Sequence, residues 1–341
     1  MERPKDRDFV ETVEGLLFCV VGYLHPPDRY TAYLKYVPDE GGKWSRGGTR
    51  YTRVIPYYHV SQVEGTYVDL QERFPHYMFS CPVRDIEVSS VPREYVREYY
   101  RPRERLASMM REGPRDPLEH KLEELVTILT GVAGLSSGDL GVTGSILTSS
   151  HNPEFSDMDL TVYGMEASTR LREAMAEIRG EHNVVQPFTS AKREVWSMSR
   201  AERFPLDFGQ LMEFAERRWN YGIYMGTYFS VHPVRTDDEI LEEYGDRRYV
   251  QLGDVEGRAV VEDSSESIYL PATYEVWDVE AEGGADVSRL VSYEGLYCDM
   301  FDPGDVVEFS GVLERVVDGG EEYRVVVGGA GSRPSYIKRA A

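Results

Sequence analysis

Apolar positions change rhythm three times along the chain. Between residues 15 and 91 they alternate in short runs, so 15–24, 30–37, 51–58 and 77–91 read as strands. The turns between them are His25-Pro26-Pro27-Asp28, Asp39-Glu40-Gly41-Gly42 and Gly47-Gly48. Residues 93–111 read as helical, with a break near Pro102, which suits the first turn of a second helix. A stronger helix follows, with Asp116 as cap, Pro117 in its first turn, and Leu118, Leu122, Leu125, Leu129 and Val132 at alternating spacings of four and three. Next come a short apolar segment ending at Gly144-Ser145, a strand carrying Leu160, Val162 and Tyr163, and a helix with Ala167, Leu171, Ala174 and Ile178 on one face, ending near Gly180. Residues 183–188 suit a short strand, 208–219 an amphipathic helix and 224–234 another strand. From about 236 the pattern returns to strands, at 257–261, 274–279, 305–316 and 323–327, with Asp318-Gly319-Gly320 as the turn of a final hairpin.

These rhythms predict an α+β chain in three parts. Residues 1–112 form a tyrosine-rich β domain with trailing helices, 113–235 a mixed sheet with helices, and 236–341 a small barrel or sandwich. A length of 341 residues agrees with two or three domains. No apolar run reaches the ~20 residues of a membrane span, and the first residues lack the apolar segment of a signal peptide, so the expectation is a soluble, cytoplasmic protein without a membrane partner. Cys19, Cys81 and Cys298 are far apart and odd in number, which favours buried, reduced thiols over a disulfide framework or a cysteine zinc site.

Charge changes the picture mainly in the last third. The net charge is −21, and residues 236–330 hold 25 acidic residues against six arginines and no lysine. An acidic module of that kind repels polyanions, so a packing, solubility or protein-partner role is expected of it. Lysine supplies only six of the 38 basic residues, leaving arginine to carry the positive charge.

The candidate chemistry lies in the middle part. Gly144-Ser145 ends an apolar segment, and Asp157 and Asp159 follow at the head of a strand. Residues two apart on a strand share a face, so the two carboxylates can grip one hard cation. A Gly-Ser turn upstream suits phosphate, which together describes a nucleoside triphosphate and metal site.

The Gly-Ser turn and the Asp-x-Asp strand resemble the signature of the DNA polymerase beta-like nucleotidyltransferase superfamily, over roughly residues 115–235. The whole chain resembles an archaeal group of predicted nucleotidyltransferases through Val20-Val21-Gly22-Tyr23-Leu24-His25-Pro26-Pro27-Asp28-Arg29-Tyr30, Tyr100-Arg101-Pro102-Arg103-Glu104 and Asp263-Ser264-Ser265-Glu266-Ser267-Ile268. The resemblance implies a nucleotidyltransferase core that moves a nucleoside monophosphate from an NTP to an acceptor hydroxyl on RNA, protein or a small molecule. It implies Mg²⁺ or Mn²⁺ on Asp157 and Asp159, and phosphate contacts from Gly144 and Ser145. Active members usually carry a third carboxylate on a later strand. Here Asp207 has two readings, that third acid or, with Gln210 three residues on, a helix capping box. The 224–234 strand carries Ser230 and His232 on one face and no acid, and Glu154 is a further candidate ligand. The competing reading is a nucleotide- or RNA-binding protein that keeps the fold without catalysis.

Other features are less specific. His151 is a candidate nucleotide contact or a turn residue before Asn152-Pro153, and His25 reads as structural. Lys43, Arg46, Arg50 and Arg53 are interleaved with Trp44 and Tyr51 and with no acid, a pattern suited to an acceptor such as RNA. Arg93, Arg97 and Arg101 share one helical face if 93–101 is helical, with Arg103 and Arg105 following and Glu94, Glu98 and Glu104 interspersed. The segment 304–316 resembles strands of an OB-type barrel.

Overall fold

A computed structural model describes residues 3–181, 185–317, 320–328 and 331–340. It is a mixed α+β chain with several sheets. The backbone divides into two compact units, each assembled from separate stretches of sequence: Met1–Pro56, Ser89–Phe188 and Trp219–Leu241 in the first, and Tyr57–Val88, Thr189–Arg218 and Glu242–Ala341 in the second.

The first unit contains two sheets. In one, the strands Trp44–Arg46, Thr49–Arg53, Arg29–Pro38, Leu17–Val20, Phe9–Thr12 and Val96–Tyr100 lie side by side in that order. Phe9, Val10, Leu17, Phe18 and Val20 are fully buried and supply its core. The other is a five-stranded sheet ordered Val185–Gln186, Tyr221–Tyr224, Thr227–Val234, Met158–Tyr163, Leu140–Val142. Met158–Tyr163 runs antiparallel to Leu140–Val142 and parallel to Thr227–Val234. Parallel neighbours need a crossover, and the helix Met165–Glu181 begins it directly after the first of them. As expected, Asp116 caps the helix Pro117–Ala133, accepting from the N–H groups of Leu118 and Glu119, and Leu118, Leu122, Leu125 and Leu129 are buried. Val132, expected on the same face, is 47% exposed, and Val126 and Ala133 take up the inward positions instead.

Several sequence expectations need correction. Residues 93–101 are not helical: a single 3₁₀ turn at Arg93–Tyr95 leads into the strand Val96–Tyr100, which pairs with Phe9–Thr12. Long-range pairing decides the conformation there, because Tyr99 and Tyr100 donate to Asp8 and Glu11 on the partner strand or beside it. Arg93, Arg97 and Arg101 therefore share no helical face; Arg97 pairs with Glu11, while Arg93 and Arg101 lie over the rings of Tyr30 and Tyr99. The second helix is real, running Pro102–Glu112 with proline in its first turn. The expected strand 224–234 is a hairpin, Tyr221–Tyr224 with Thr227–Val234, turned at Met225 and Gly226, which both have positive φ.

In the second unit, the expected strand 51–58 stops at Arg53 in the first unit and gives way to helices Val60–Glu64 and Tyr67–Arg73, while 77–91 breaks into Met78–Cys81 and Ile86–Pro92. Helices Ser190–Ala201 and Phe208–Arg217 follow. The rest of the unit is a sheet that curls on itself. Arg248–Asp263 pairs with Ala272–Ala281, that strand with Val287–Ser292, that with Glu321–Val327, that with Val306–Val317, and the last returns to Arg248–Asp263. Only the Val287–Ser292 and Glu321–Val327 pair is parallel. Tyr336–Arg339 extends the edge of Val306–Val317. Of the turn Asp318-Gly319-Gly320, the first two residues lie outside the described residues; the strands it joins are antiparallel. Tyr274, Leu290, Val307, Phe309, Val325 and Ile337 fill the interior.

Candidate functional site

Asp159 lies on an interior strand of the five-stranded sheet, next to the edge, with Val142 and Thr143 on one side and Ser230 on the other. The N–H of Thr143 donates to the backbone carbonyl of Asp159 at 2.8 Å, which brings the next residue, Gly144, against the aspartate side chain. Gly144 has φ of 68°, and a Cβ on it would stand 2.8 Å from Asp159 Oδ2. Glycine is required twice over here, by the backbone and by the carboxylate. Ser145 follows in the single turn Gly144–Leu147 and is 8% exposed.

On the far side, Asp159 is opposite Ser230 in the parallel register. Ser230 Oγ donates to Asp159 Oδ1 at 2.5 Å and accepts from His232 Nε2 at 2.9 Å. The strand position beside the aspartate thus holds a hydroxyl, backed by an imidazole. Asp157 is exposed, yet partial burial of its carboxyl, followed by repulsion from Asp159, pushes its pKa up to about 6, against the pull of Arg53. A carboxylate whose proton affinity is raised by its neighbour is chemically suited to share a cation with it.

The first sheet supplies positive charge to the same place. Lys35 is 8% exposed; burial lowers its pKa to about 8, while Cys19 and Asp159 act to raise it. Arg7 is held by Asp6 and also feels Asp159. Arg53 Nε is buried without a hydrogen-bond partner among the described residues. Lys35 and Arg7 escaped the sequence reading because neither lies near the motif in the chain.

The basic segment forms the hairpin Trp44–Arg46 and Thr49–Arg53. Its four cations have different fates. Arg46 pairs with Glu11 at 2.5 Å and also bonds Tyr100, so it fixes the hairpin in place. Arg53 lies beside Asp157, and Lys43 and Arg50 are exposed.

His151 has its own acidic partners. Its Nε2 is 2.7 Å from Asp116 Oδ2 and 4.0 Å from Glu119 Oε1, and its side chain is 6% exposed. Asp116, Glu119 and His151 offer one ligand atom each, all within 4.8 Å of one another, so the three form a possible metal-binding cluster. Glu119 is fully buried and already holds Arg105 at 2.5 Å and Arg115 at 2.7 Å. A cation there competes with two guanidinium groups. Sequence reasoning recognised Asp116 as a cap and His151 as a candidate, without joining them, since 35 residues separate the two.

The other candidates are accounted for locally. Asp207 caps the helix Phe208–Arg217 in a reciprocal box with Gln210, within the second unit. Glu154 is exposed in a turn, its N–H bonded to Asn152. His25 accepts from the N–H of Thr31.

The chain is thus a mixed α+β protein with a carboxylate pair at the head of an interior strand of one sheet and a three-residue cluster of metal-ligand type. It is 32% identical, over 329 residues and 94% of each chain, to the uncharacterized protein MJ1086 of Methanocaldococcus jannaschii, and it belongs to that protein's family. No family model matches the chain, and no solved structure matches it. No helix among the described residues is long and apolar enough to cross a membrane.

Proposed function

We propose that the first unit is a nucleotidyltransferase that binds an NTP through Mg²⁺ or Mn²⁺ on Asp157 and Asp159. The observation that carries this reading is the packing of Gly144 against Asp159, which brings the Gly-Ser turn and the paired carboxylates into one site. Sheet order supports it: the antiparallel strand leading into Gly144-Ser145, the carboxylate strand and the later parallel strand are neighbours. So does the surrounding charge, since Lys35 and Arg53 are cations suited to a polyphosphate.

In this reading an acceptor hydroxyl attacks the α-phosphorus, the bond to the β-phosphate breaks, pyrophosphate leaves, and the hydroxyl proton passes to solvent. A bound divalent ion supplies charge screening on the phosphates. Asp157 and Asp159 hold it, Ser230 fixes the orientation of Asp159, and Lys35 and Arg53 neutralise charge on the departing pyrophosphate. The acceptor is an RNA end, a protein hydroxyl or a small molecule. The closed pairing of the second unit's curled sheet supports the reading of an OB-type barrel, and its acidity fits a protein partner better than a nucleic acid.

Labelled ATP, CTP, GTP and UTP, incubated with Mg²⁺ or Mn²⁺ and a panel of acceptors, test the proposal. Label transfer by the wild type, lost in Asp157→Asn and Asp159→Asn, is expected; equal inertness of all three proteins across the panel sinks it. Ser230 favours a second reading, because a hydroxyl stands beside Asp159 where active relatives of the superfamily carry a third acid. In that case the protein binds metal and nucleotide without turnover, and release of pyrophosphate by purified protein excludes it.

A further inference from the structure

We infer that the exposed ring of Phe155, buttressed by Trp44 at right angles to it, forms a stacking face for the base of the bound nucleotide, with a preference for purines; this rests on the nucleotide site proposed above. Phe155 is two residues before Asp157, so their Cα atoms lie within ~7 Å of each other. It is 47% exposed, a large apolar ring left open beside a carboxylate pair. Its loop is nonetheless well tied: Asn152 N–H donates to Ser156 Oγ at 2.9 Å, Ser156 N–H to the Asn152 carbonyl at 2.9 Å, and Glu154 N–H to Asn152 Oδ1 at 2.9 Å. Exposure on a fixed loop preserves a binding surface in a way that exposure on a loose one does not.

Trp44 comes from a different part of the chain and meets Phe155 edge to face, with ring centroids 5.6 Å apart and planes at 85°. Behind it, buried Tyr36 packs at 5.5 Å and feels the charges of both Asp157 and Asp159, which places this aromatic row at the edge of the carboxylate site. The hairpin bearing Trp44 is fastened to the Gly-Ser segment, through Ser45 N–H to the Ser150 carbonyl at 3.1 Å and Arg46 to the Thr148 carbonyl at 3.5 Å. Trp44 and the phosphate-side turn are therefore held in one fixed relation. A nucleotide whose phosphates reach the metal between Asp157 and Asp159 has its base within reach of this face. An aromatic face stacks any base, and purines gain more because they cover more ring.

Binding of Mg-ATP, Mg-UTP and Mg-tripolyphosphate to the full chain separates the base from the phosphates. The wild type is expected to bind Mg-ATP about 5- to 100-fold more tightly than Mg-tripolyphosphate, with Mg-UTP in between. Trp44→Ala and Phe155→Ala should lose that advantage while keeping the affinity for Mg-tripolyphosphate, which also reports that the site remains folded. Phe155→Tyr should retain it. Equal affinity of the wild type for all three ligands, abolished by Asp157→Asn, overturns the stacking face and leaves the metal-phosphate site standing. Failure of the wild type to bind any of them overturns the nucleotide site itself, and the stacking face with it.

Discussion

Glu294 lies 2% exposed in the second unit, with one carboxylate oxygen accepting the N–H of Val60 at 2.7 Å. Burial, together with the nearby charge of Glu64, pushes its pKa up to about 8, from 4.5, against the opposing effects of the Val60 N–H and Arg203. The folded chain thus holds a proton that the unfolded chain has released, so stability falls as pH rises from about 4.5 through about 8. Glutamine reproduces the neutral acid, with an oxygen for Val60 and a donor in place of the hydroxyl. Glu294→Gln should match the wild type at pH 4 and exceed it by on the order of 2 kcal/mol at pH 9, read by urea unfolding across that range. Parallel pH profiles for the two proteins would refute the assignment. Ser230 offers a second test at this scale. Ser230→Ala leaves a carboxylate oxygen of Asp159 and a ring nitrogen of His232 each without its hydroxyl partner, and should cost about 1–2 kcal/mol by the same measurement. Ser230→Asp sets a carboxylate against Asp159, so it should destabilise the metal-free protein and recover stability on addition of Mn²⁺. Indifference to Mn²⁺ counts against a cation at Asp159.

Helix ends show which elements the sequence disclosed. Asp116 and Asp207 were both legible as caps, because a cap is a local device: a side-chain oxygen and an N–H two or three residues on. Asp207→Ala should cost about 1 kcal/mol, the usual value for a cap. Asp116→Ala should cost more, since its second oxygen also holds buried His151. Comparable losses in thermal unfolding of the two variants would mean that the His151 contact contributes nothing to stability. The carboxylate strand was legible for the same reason, in that Asp157, Asp159 and the apolar residues after them follow a period of two. Val96–Tyr100 was not, because Arg93, Arg97 and Arg101 mimic a helical face and only the pairing with Phe9–Thr12 selects a strand. Nor could Lys35 be found: in the chain it is one inward position among Tyr33, Leu34 and Tyr36, and nothing local tells a lysine that is 8% exposed from one that snorkels to water.

The distribution of charge across the molecule sets its response to salt. Residues 236–330, nearly all in the second unit, hold 25 acids against six arginines. Some of these acids are paired, as in Glu314 with Arg324 at 2.8 Å and Asp305 with Arg339 at 2.6 Å, but so few cations leave most of the negative charge uncompensated. Folding the segment into a curled sheet brings those carboxylates closer together than they lie in the unfolded chain, so repulsion opposes the fold. Added salt has two opposite effects. It weakens the exposed ion pairs, each worth about 0–1 kcal/mol, and it screens the repulsion, over a Debye length that falls from ~30 Å at 0.01 M to ~3 Å at 1 M. With 25 acids to six arginines, repulsive pairs outnumber attractive ones in the segment, so screening of the repulsion is expected to win. Raising KCl from about 0.02 M to 1 M at pH 7 should therefore raise the unfolding temperature, with most of the gain below about 0.3 M, where the Debye length shrinks fastest. Scanning calorimetry at stepped KCl concentrations measures this directly. A midpoint that falls with salt would mean that ion pairs such as Glu314 with Arg324, rather than the surplus of carboxylates, govern the electrostatics of the fold.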